Sequence, residues 1–425
     1  MPEGTGDASS LLLRGARLAD GRVVDVRTAG PLIESVGTAG SLTARGTGLD
    51  LRGHLLLPAP AEPHAHADTA LTGTAMAGAA VADGAGGGTA GTGGGPPSYR
   101  PEDVRRRATE AALLQLSHGA TALRAHVRVG GAAGLGALDG VLAAGRSLRG
   151  LTELTIVAVP GVLTGVAGAD GLAALRDAVE RGAHVVGGRP DTDPDPAGHA
   201  EAVLRLAAGL GRPVDLHTDG DDPDRVDLWA AMAGGFGHGV CLGPCAGLSR
   251  LPVGRAARTA ERLAAAAVTV VCLPQGGCSC SGLRGTPPVE LLRAAGVRVT
   301  AGGGALRDRS NPVGRGDPLE AAYLLASQQG LAPESAYEAV SGAARAALGL
   351  PAVRVEAGFP AELLAVRGDT LAGALSLAYS RIVVHRGRVV ARTSAVREYR
   401  DAGAAAAALD LPRQGRVGSG REGGP

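Results

Sequence analysis

The chain has 425 residues, 45 % of them hydrophobic, and a formal net charge of +1 from 42 basic and 41 acidic side chains. That hydrophobic share excludes disorder throughout, and the charge balance excludes a long-range field favouring nucleic acid or an anionic membrane. Every basic residue of the Lys/Arg class is arginine, which also excludes a Schiff-base lysine and a carboxylated lysine bridging two metals.

Residues 1–10 are acidic and polar, without the charged and apolar regions of a signal peptide. Residues 11–58 read as short strands separated by Gly and Asp turns, which suggests hairpins. From 59 to 345, short apolar strands alternate with Ala/Leu-rich helical stretches. Eight strands are expected at 57–62, 120–123, 154–159, 185–188, 214–217, 239–242, 268–273 and 297–300. Helices are expected between them, for example at 101–117, 171–181, 200–209 and 255–266. Regular alternation over this length predicts a parallel (β/α)8 barrel, TIM-like, with its chemistry at the C-terminal ends of the strands. Strand-like runs return at 361–366, 382–384 and 389–391, with a turn at His385-Arg386-Gly387-Arg388. The expected fold class is therefore α/β: the barrel at 59–345, plus a small β-sandwich domain built from both termini, 1–58 and 346–402. The Gly/Ala/Thr-rich segment 73–97 is expected to be a flexible loop over the barrel mouth, and 403–425 a disordered tail. The longest apolar run, 263–273, is shorter than the about 20 residues that span a bilayer. Five cysteines without an export signal read as reduced thiols, and the expected location is the cytoplasm.

The strongest chemical motif is Pro63-His64-Ala65-His66-Ala67-Asp68 at the end of the first barrel strand. Residues two apart in a strand point the same way, so His64 and His66 both face the barrel mouth. Two imidazoles so placed suit a borderline metal such as Zn2+ or Fe2+; two surface histidines are the bland alternative. His217 ends the fifth strand and His126 the second, so several histidines converge on one mouth. The spacing of Cys241, Cys245, Cys272, Cys278 and Cys280 matches no recognised zinc pattern. A thiolate completing a three-histidine site is conceivable, but buried or adventitious thiols are the expectation.

With these motifs in place, the chain resembles the cytosine deaminase branch of the amidohydrolase superfamily over most of residues 10–395. The resemblance rests on the histidine motif, Arg124-Ala125-His126-Val127, Val157-Ala158-Val159-Pro160, the His217 segment and above all Arg307-Asp308-Arg309-Ser310-Asn311-Pro312-Val313-Gly314-Arg315-Gly316-Asp317-Pro318-Leu319-Glu320. It implies one divalent metal, Zn2+ or Fe2+, held by His64, His66 and His217, with loss of the metal as the alternative. It also implies metal-assisted hydrolysis of a C–N bond in a small cyclic amide or amidine.

The same resemblance implies a glutamate three residues after the third histidine, a histidine after strand six and a ligand aspartate after strand eight. Here those positions are Gly220, Pro244 and Gly304, and the family's glutamine after strand three is Gly161. None offers a side-chain acid, base or ligand. Asp219 and Asp308, in the same loops, are the candidate catalytic substitutes. Two main expectations follow: a degenerate hydrolase with weak or altered activity, or a non-catalytic pseudoenzyme acting as a ligand-binding or partner subunit. A different reaction on the same site, such as a lyase or cyclisation step, is the third. The expected partner is a small heterocyclic or amide substrate, with no nucleic acid and no membrane, and a homo-oligomer as an open option.

Overall fold

A computed structural model describes residues 10–73, 97–276, 278 and 285–395. The expected loop at 73–97, apart from its ends, and the expected tail at 403–425 lie outside the described residues, as does Cys280. The chain forms two compact units, one combining the segments up to Leu57 and from Arg354 onward, the other spanning Pro58–Val353.

The first unit begins with β1 (Ser10–Arg17), β2 (Val23–Ala29), β3 (Leu32–Thr38), β4 (Thr47–Asp50) and β5 (His54–Pro58). β1 pairs antiparallel with β2 and parallel with β4 and β5. The prolines Pro58 and Pro60 then interrupt the apolar run, since proline lacks the N–H a continuous strand needs. The first barrel strand therefore lies at β6 (Ala61–Ala65), four residues later than the expected 57–62, and Leu55–Leu57 belong to the other sheet.

The second unit continues with β7 (Ala122–Val129), β8 (Glu153–Pro160), β9 (Val185–Gly188), β10 (Val214–Thr218), β11 (Val240–Pro244), β12 (Thr269–Cys272) and β13 (Arg298–Ala301). All neighbours from β6 to β13 pair in parallel and in chain order. A parallel bridge between Ala65 and Gly304, with Gly304 N donating to His64 O at 3.0 Å, brings the end of the last strand back to the first. This is a TIM-like barrel. Strands β6, β9, β10, β11 and β12 are buried along their whole length, as parallel strands flanked on both sides must be.

Helices α1 (Pro101–Ser117), α2 (Gly136–Ser147), α3 (Gly168–Glu180), α4 (Pro196–Leu210), α5 (Pro223–Ala233) and α6 (Val253–Ala265) alternate with these strands, and α7 (Val289–Ala294) precedes β13. Then α8 (Pro318–Gln329), α9 (Pro333–Val340) and α10 (Gly342–Ala347) close the unit. Three helices start with the same local device. Asp195, Asp222 and Asp317 cap α4, α5 and α8 by accepting from backbone N–H groups, and a proline follows each at the first helical position. Asp-Pro at 195–196 sets the start of α4 four residues before the expected 200. Among the described residues, no helix is long and apolar enough to cross a membrane.

The chain returns to the first unit with β14 (Leu363–Arg367), α11 (Leu371–Leu377), β15 (Arg381–His385) and β16 (Arg388–Thr393), so both ends contribute to one sheet. The turn before β16 is tied down by Glu362. Its carboxylate lies 2.8 Å from His385 Nδ1 and accepts from Arg386 N at 3.1 Å, and both Glu362 and His385 are buried. Glu362→Ala removes both of these buried contacts, and we expect it to lower stability by about 1–3 kcal/mol. Chemical denaturation checks this; a loss no larger than that of an exposed Glu→Ala control would mean that water replaces the carboxylate.

Candidate metal centre

β6 carries His64 and delivers His66 just past its end, on the same side of the strand. β10 carries His217, paired in register with Gly243 of β11, where no side chain competes for space. The rings of His64 and His217 lie 4.5 Å apart, those of His64 and His66 5.3 Å, and those of His66 and His217 5.6 Å. His64 Nε2 and His66 Nε2 approach to 3.3 Å. The three histidines named from the sequence therefore converge, and a fourth residue joins them. Cys278, in the loop after β12, places Sγ 2.9 Å from His66 Nε2 and 3.5 Å from His64 Nε2. One donor atom from each of His64, His66, His217 and Cys278 lies within 4.8 Å of all the others.

Burial, reinforced by the neighbouring imidazole of His126, lowers the pKa of His66 to about 4 and holds His64 and His217 well below the usual histidine range. Neutral imidazole is the form that binds a metal, so no proton need be displaced from these rings at neutral pH. Three imidazoles and a thiol fit a borderline cation such as Zn2+, not a hard one that demands oxygen. His64 Nδ1 has no hydrogen-bond partner among the described residues. Its ring is held instead by stacking on His126 at 3.9 Å.

His126 lies over a buried ionic cluster. Its Nε2 is 3.2 Å from Asp215 Oδ1, and Asp215 Oδ2 accepts from Arg124 Nη1 at 3.1 Å. Arg124 also reaches Cys241 Sγ at 3.3 Å and Ala347 O at 2.6 Å. Burial raises the thiols of Cys241, Cys245 and Cys272 above their ordinary range. These three are buried core thiols, as expected. Cys278 is the exception, because its partners lie more than 200 residues away and no local spacing announces them. It also adopts φ +91°, a conformation costing a non-glycine residue about 1–3 kcal/mol.

The positions that lack acid, base or ligand groups are built into the backbone. Gly304 has φ +66° and donates its N–H to His64 O. A Cβ on the preceding Gly302 would overlap Glu62 Oε1, and one on Gly303 would lie 3.0 Å from Glu62 Oε2. The Glu62 carboxyl fills this space, accepting from His64 N at 2.9 Å and Gly303 N at 2.7 Å. Complete burial pushes it up to about 8 despite those two bonds. Gly220 has φ +71°, and a Cβ there would come within 3.2 Å of Cys245 Cα. A side chain at 220 or 304 would therefore carry backbone strain of about 1–3 kcal/mol unless the backbone shifts.

Three of the four clustered residues, His66, His217 and Cys278, open onto a cavity of about 350 Å3, which they line with His126, Asp68, Tyr99, Arg128, Arg189, Asp308 and Ser310 among others. Asp308 lines it directly. Its Oδ2 accepts from Thr69 Oγ1 at 2.8 Å, and its Oδ1 from Ser310 N at 2.7 Å and Asn311 N at 3.1 Å. Asp219 is buried elsewhere, against Asp191 and Gly247, and is not among the residues lining the cavity. Asp68 completes the histidine motif by accepting from Arg128 Nε at 2.8 Å, while the Arg128 guanidinium lies 5.3 Å from the Tyr99 ring centroid. On the opposite segment, Arg189 N donates to His199 Nε2 at 3.0 Å, and His199 Nδ1 lies 2.8 Å from Asp193 Oδ2. The sequence reading missed Asp68, Arg128 and Arg189 as cavity residues, although Asp68 stands two residues after His66.

No family model matches the chain. A pterin deaminase of Rhizobium rhizogenes is 28 % identical over 238 residues, 52 % of this chain and 54 % of that protein. An N-isopropylammelide isopropyl amidohydrolase of a Pseudomonas species is 26 % identical over 179 residues, 40 % of this chain and 42 % of that protein. The chain thus spans about half the length of the curated relatives it matches. Among solved structures, N-isopropylammelide isopropylaminohydrolase from Burkholderia multivorans superposes with a TM-score of 0.77 at 27 % identity, covering 91 % of this chain and 100 % of that one.

Proposed function

We propose that the chain is a cytosine-deaminase-like member of the amidohydrolase superfamily that hydrolyses a C–N bond of a small nitrogen heterocycle with a reduced set of catalytic groups. The observation that carries this is the convergence of His64, His66 and His217 beside a cavity of about 350 Å3. Relatives named for pterin and for isopropylammelide suggest the substrate class.

In this reading His64, His66 and His217 hold a divalent ion, Zn2+ or Fe2+, which supplies Lewis acidity when bound. Asp308, and not Asp219, is the carboxylate that takes up a proton during attack, because Asp308 faces the cavity and Asp219 does not. Its three hydrogen bonds fix the carboxylate in place. Arg128, Arg189 and Ser310 offer donors that orient the ring of the substrate. No side chain at Gly220 or Pro244 protonates the leaving amine. One missing general acid costs about 10²–10⁴ in rate, so turnover is slow.

The alternative, a non-catalytic ligand-binding or partner subunit, is supported by the positive φ at Gly220 and Gly304, which an acid or ligand side chain at those positions would adopt only with strain. Release of ammonia or amine by metal-loaded protein separates the two. Cytosine, pterin and N-isopropylammelide form the panel, tested with the wild type and with Cys278→Ala, which removes the thiol from the cluster. The expected result is slow turnover that Asp308→Asn lowers by about 10²-fold or more at unchanged metal content. Full metal loading without turnover in either protein would assign the non-catalytic role.

A further inference from the structure

We propose that Cys278 is a fourth protein ligand of the metal, making a His3Cys centre in which the loop after β12 supplies the donor that Gly304, at the end of the last barrel strand, lacks. This rests on the reading that His64, His66 and His217 bind a divalent ion.

The distances carry it. With Zn–N of about 2.0–2.1 Å and Zn–S of about 2.3 Å, a tetrahedral centre has N···N edges of about 3.3–3.4 Å and N···S edges of about 3.5–3.6 Å. The His64 Nε2 to His66 Nε2 separation is 3.3 Å, and Cys278 Sγ to His64 Nε2 is 3.5 Å. The Cys278 Sγ to His66 Nε2 edge, at 2.9 Å, is shorter than that geometry by about 0.6 Å. Two of the three edges among His64, His66 and Cys278 thus match before any ion pulls on the donors, the third needs a small outward movement of sulfur, and the His217 donor lies within 4.8 Å of each. Placement agrees with distance. Cys278 is buried, lines the cavity beside His66 and His217, and takes a strained backbone conformation that aims its side chain there. Neither carboxylate named from the sequence competes, since neither Asp308 nor Asp219 belongs to a group of clustered donors.

Four protein ligands satisfy a tetrahedral ion. Centres of that kind are closed, whereas catalytic zinc sites keep one position open for water or substrate. Cys278 therefore sets whether this site is open, and its thiol must leave the ion before substrate can reach it.

The test replaces bound zinc with Co2+ in the full-length protein and records the absorption spectrum. The expected result is a thiolate-to-cobalt charge-transfer band in the near ultraviolet, lost in Cys278→Ser and retained in Cys280→Ser. X-ray absorption at the zinc edge of the wild type should show one sulfur at about 2.3 Å with nitrogen neighbours. The zinc-edge measurement reads the wild type alone, so poor folding of a variant does not blunt it. Stoichiometric metal without sulfur in its shell, or a band that survives in Cys278→Ser, overturns the Cys278 assignment and leaves the histidine centre standing. Failure to bind Co2+ or Zn2+ at all overturns both.

Discussion

Asp215→Ala is expected to lower the free energy of unfolding by about 3–5 kcal/mol, the cost of removing one partner from a buried ion pair. The side chains of Asp215 and Arg124 are 0 % and 3 % exposed, so water cannot replace the lost carboxylate. Arginine cannot shed its charge to escape, because a guanidinium is not deprotonated in proteins. Cys241 Sγ and Ala347 O would remain as its only neutral hydrogen-bond partners among the described residues. Asp215→Asn keeps an oxygen for Arg124 Nη1 and should cost less than the alanine change. Urea denaturation with both variants checks the order and the size. A loss below about 1 kcal/mol for Asp215→Ala, the scale of an exposed pair, would show that the pair is hydrated. The same variant has a second consequence. His126 rests 3.2 Å from Asp215 Oδ1 and stacks on His64, so the histidine cluster loses part of its support.

His217→Ala should raise the dissociation constant for Zn2+ by more than about 10²-fold. Removing even an outer partner of a metal ligand costs about 10–100-fold, and His217 is placed to bind directly. Linkage turns this into a stability measurement. An ion that binds only the folded chain stabilises it by about 2.7 kcal/mol at a free concentration 100 times its dissociation constant. Wild type should therefore melt at a distinctly higher temperature with zinc than with chelator, and His217→Ala should show little difference at the same zinc concentration. Comparing each protein with itself cancels the packing lost with the ring. Equal zinc stabilisation in both proteins would remove His217 from the centre.

How far the sequence reveals this molecule can be judged residue by residue. The histidine pair was legible because strand periodicity is local: two residues apart means one side. His217 was legible because it ends the short strand-like segment Val214-Asp215-Leu216. The prolines at 58 and 60 and the Asp-Pro helix starts carried boundary information that apolar patterning alone misplaced by four residues. Cys278 was not legible. Its meeting with His64 and His66 depends on how the sixth and seventh crossovers bring distant loops to one mouth, and no short-range pattern encodes that. Gly304, in the glycine run at 302–304, reads as a missing ligand in the sequence. In the structure that run is also room for the carboxyl of Glu62, a contact across 241 residues between Glu62 and Gly303.

That last contact has a consequence for biosynthesis. Gly303 N–H to Glu62 and Gly304 N–H to His64 O form the seam that closes the barrel. Closing so long a loop is entropically costly and comes late. A nascent chain still tethered to the ribosome before residue 304 emerges holds His64 and His66 on a strand with one open edge. In the proposed reading, the strand that carries His64 and His66 is fixed at both edges only once residue 304 is available, so the candidate centre reaches its final geometry late in folding.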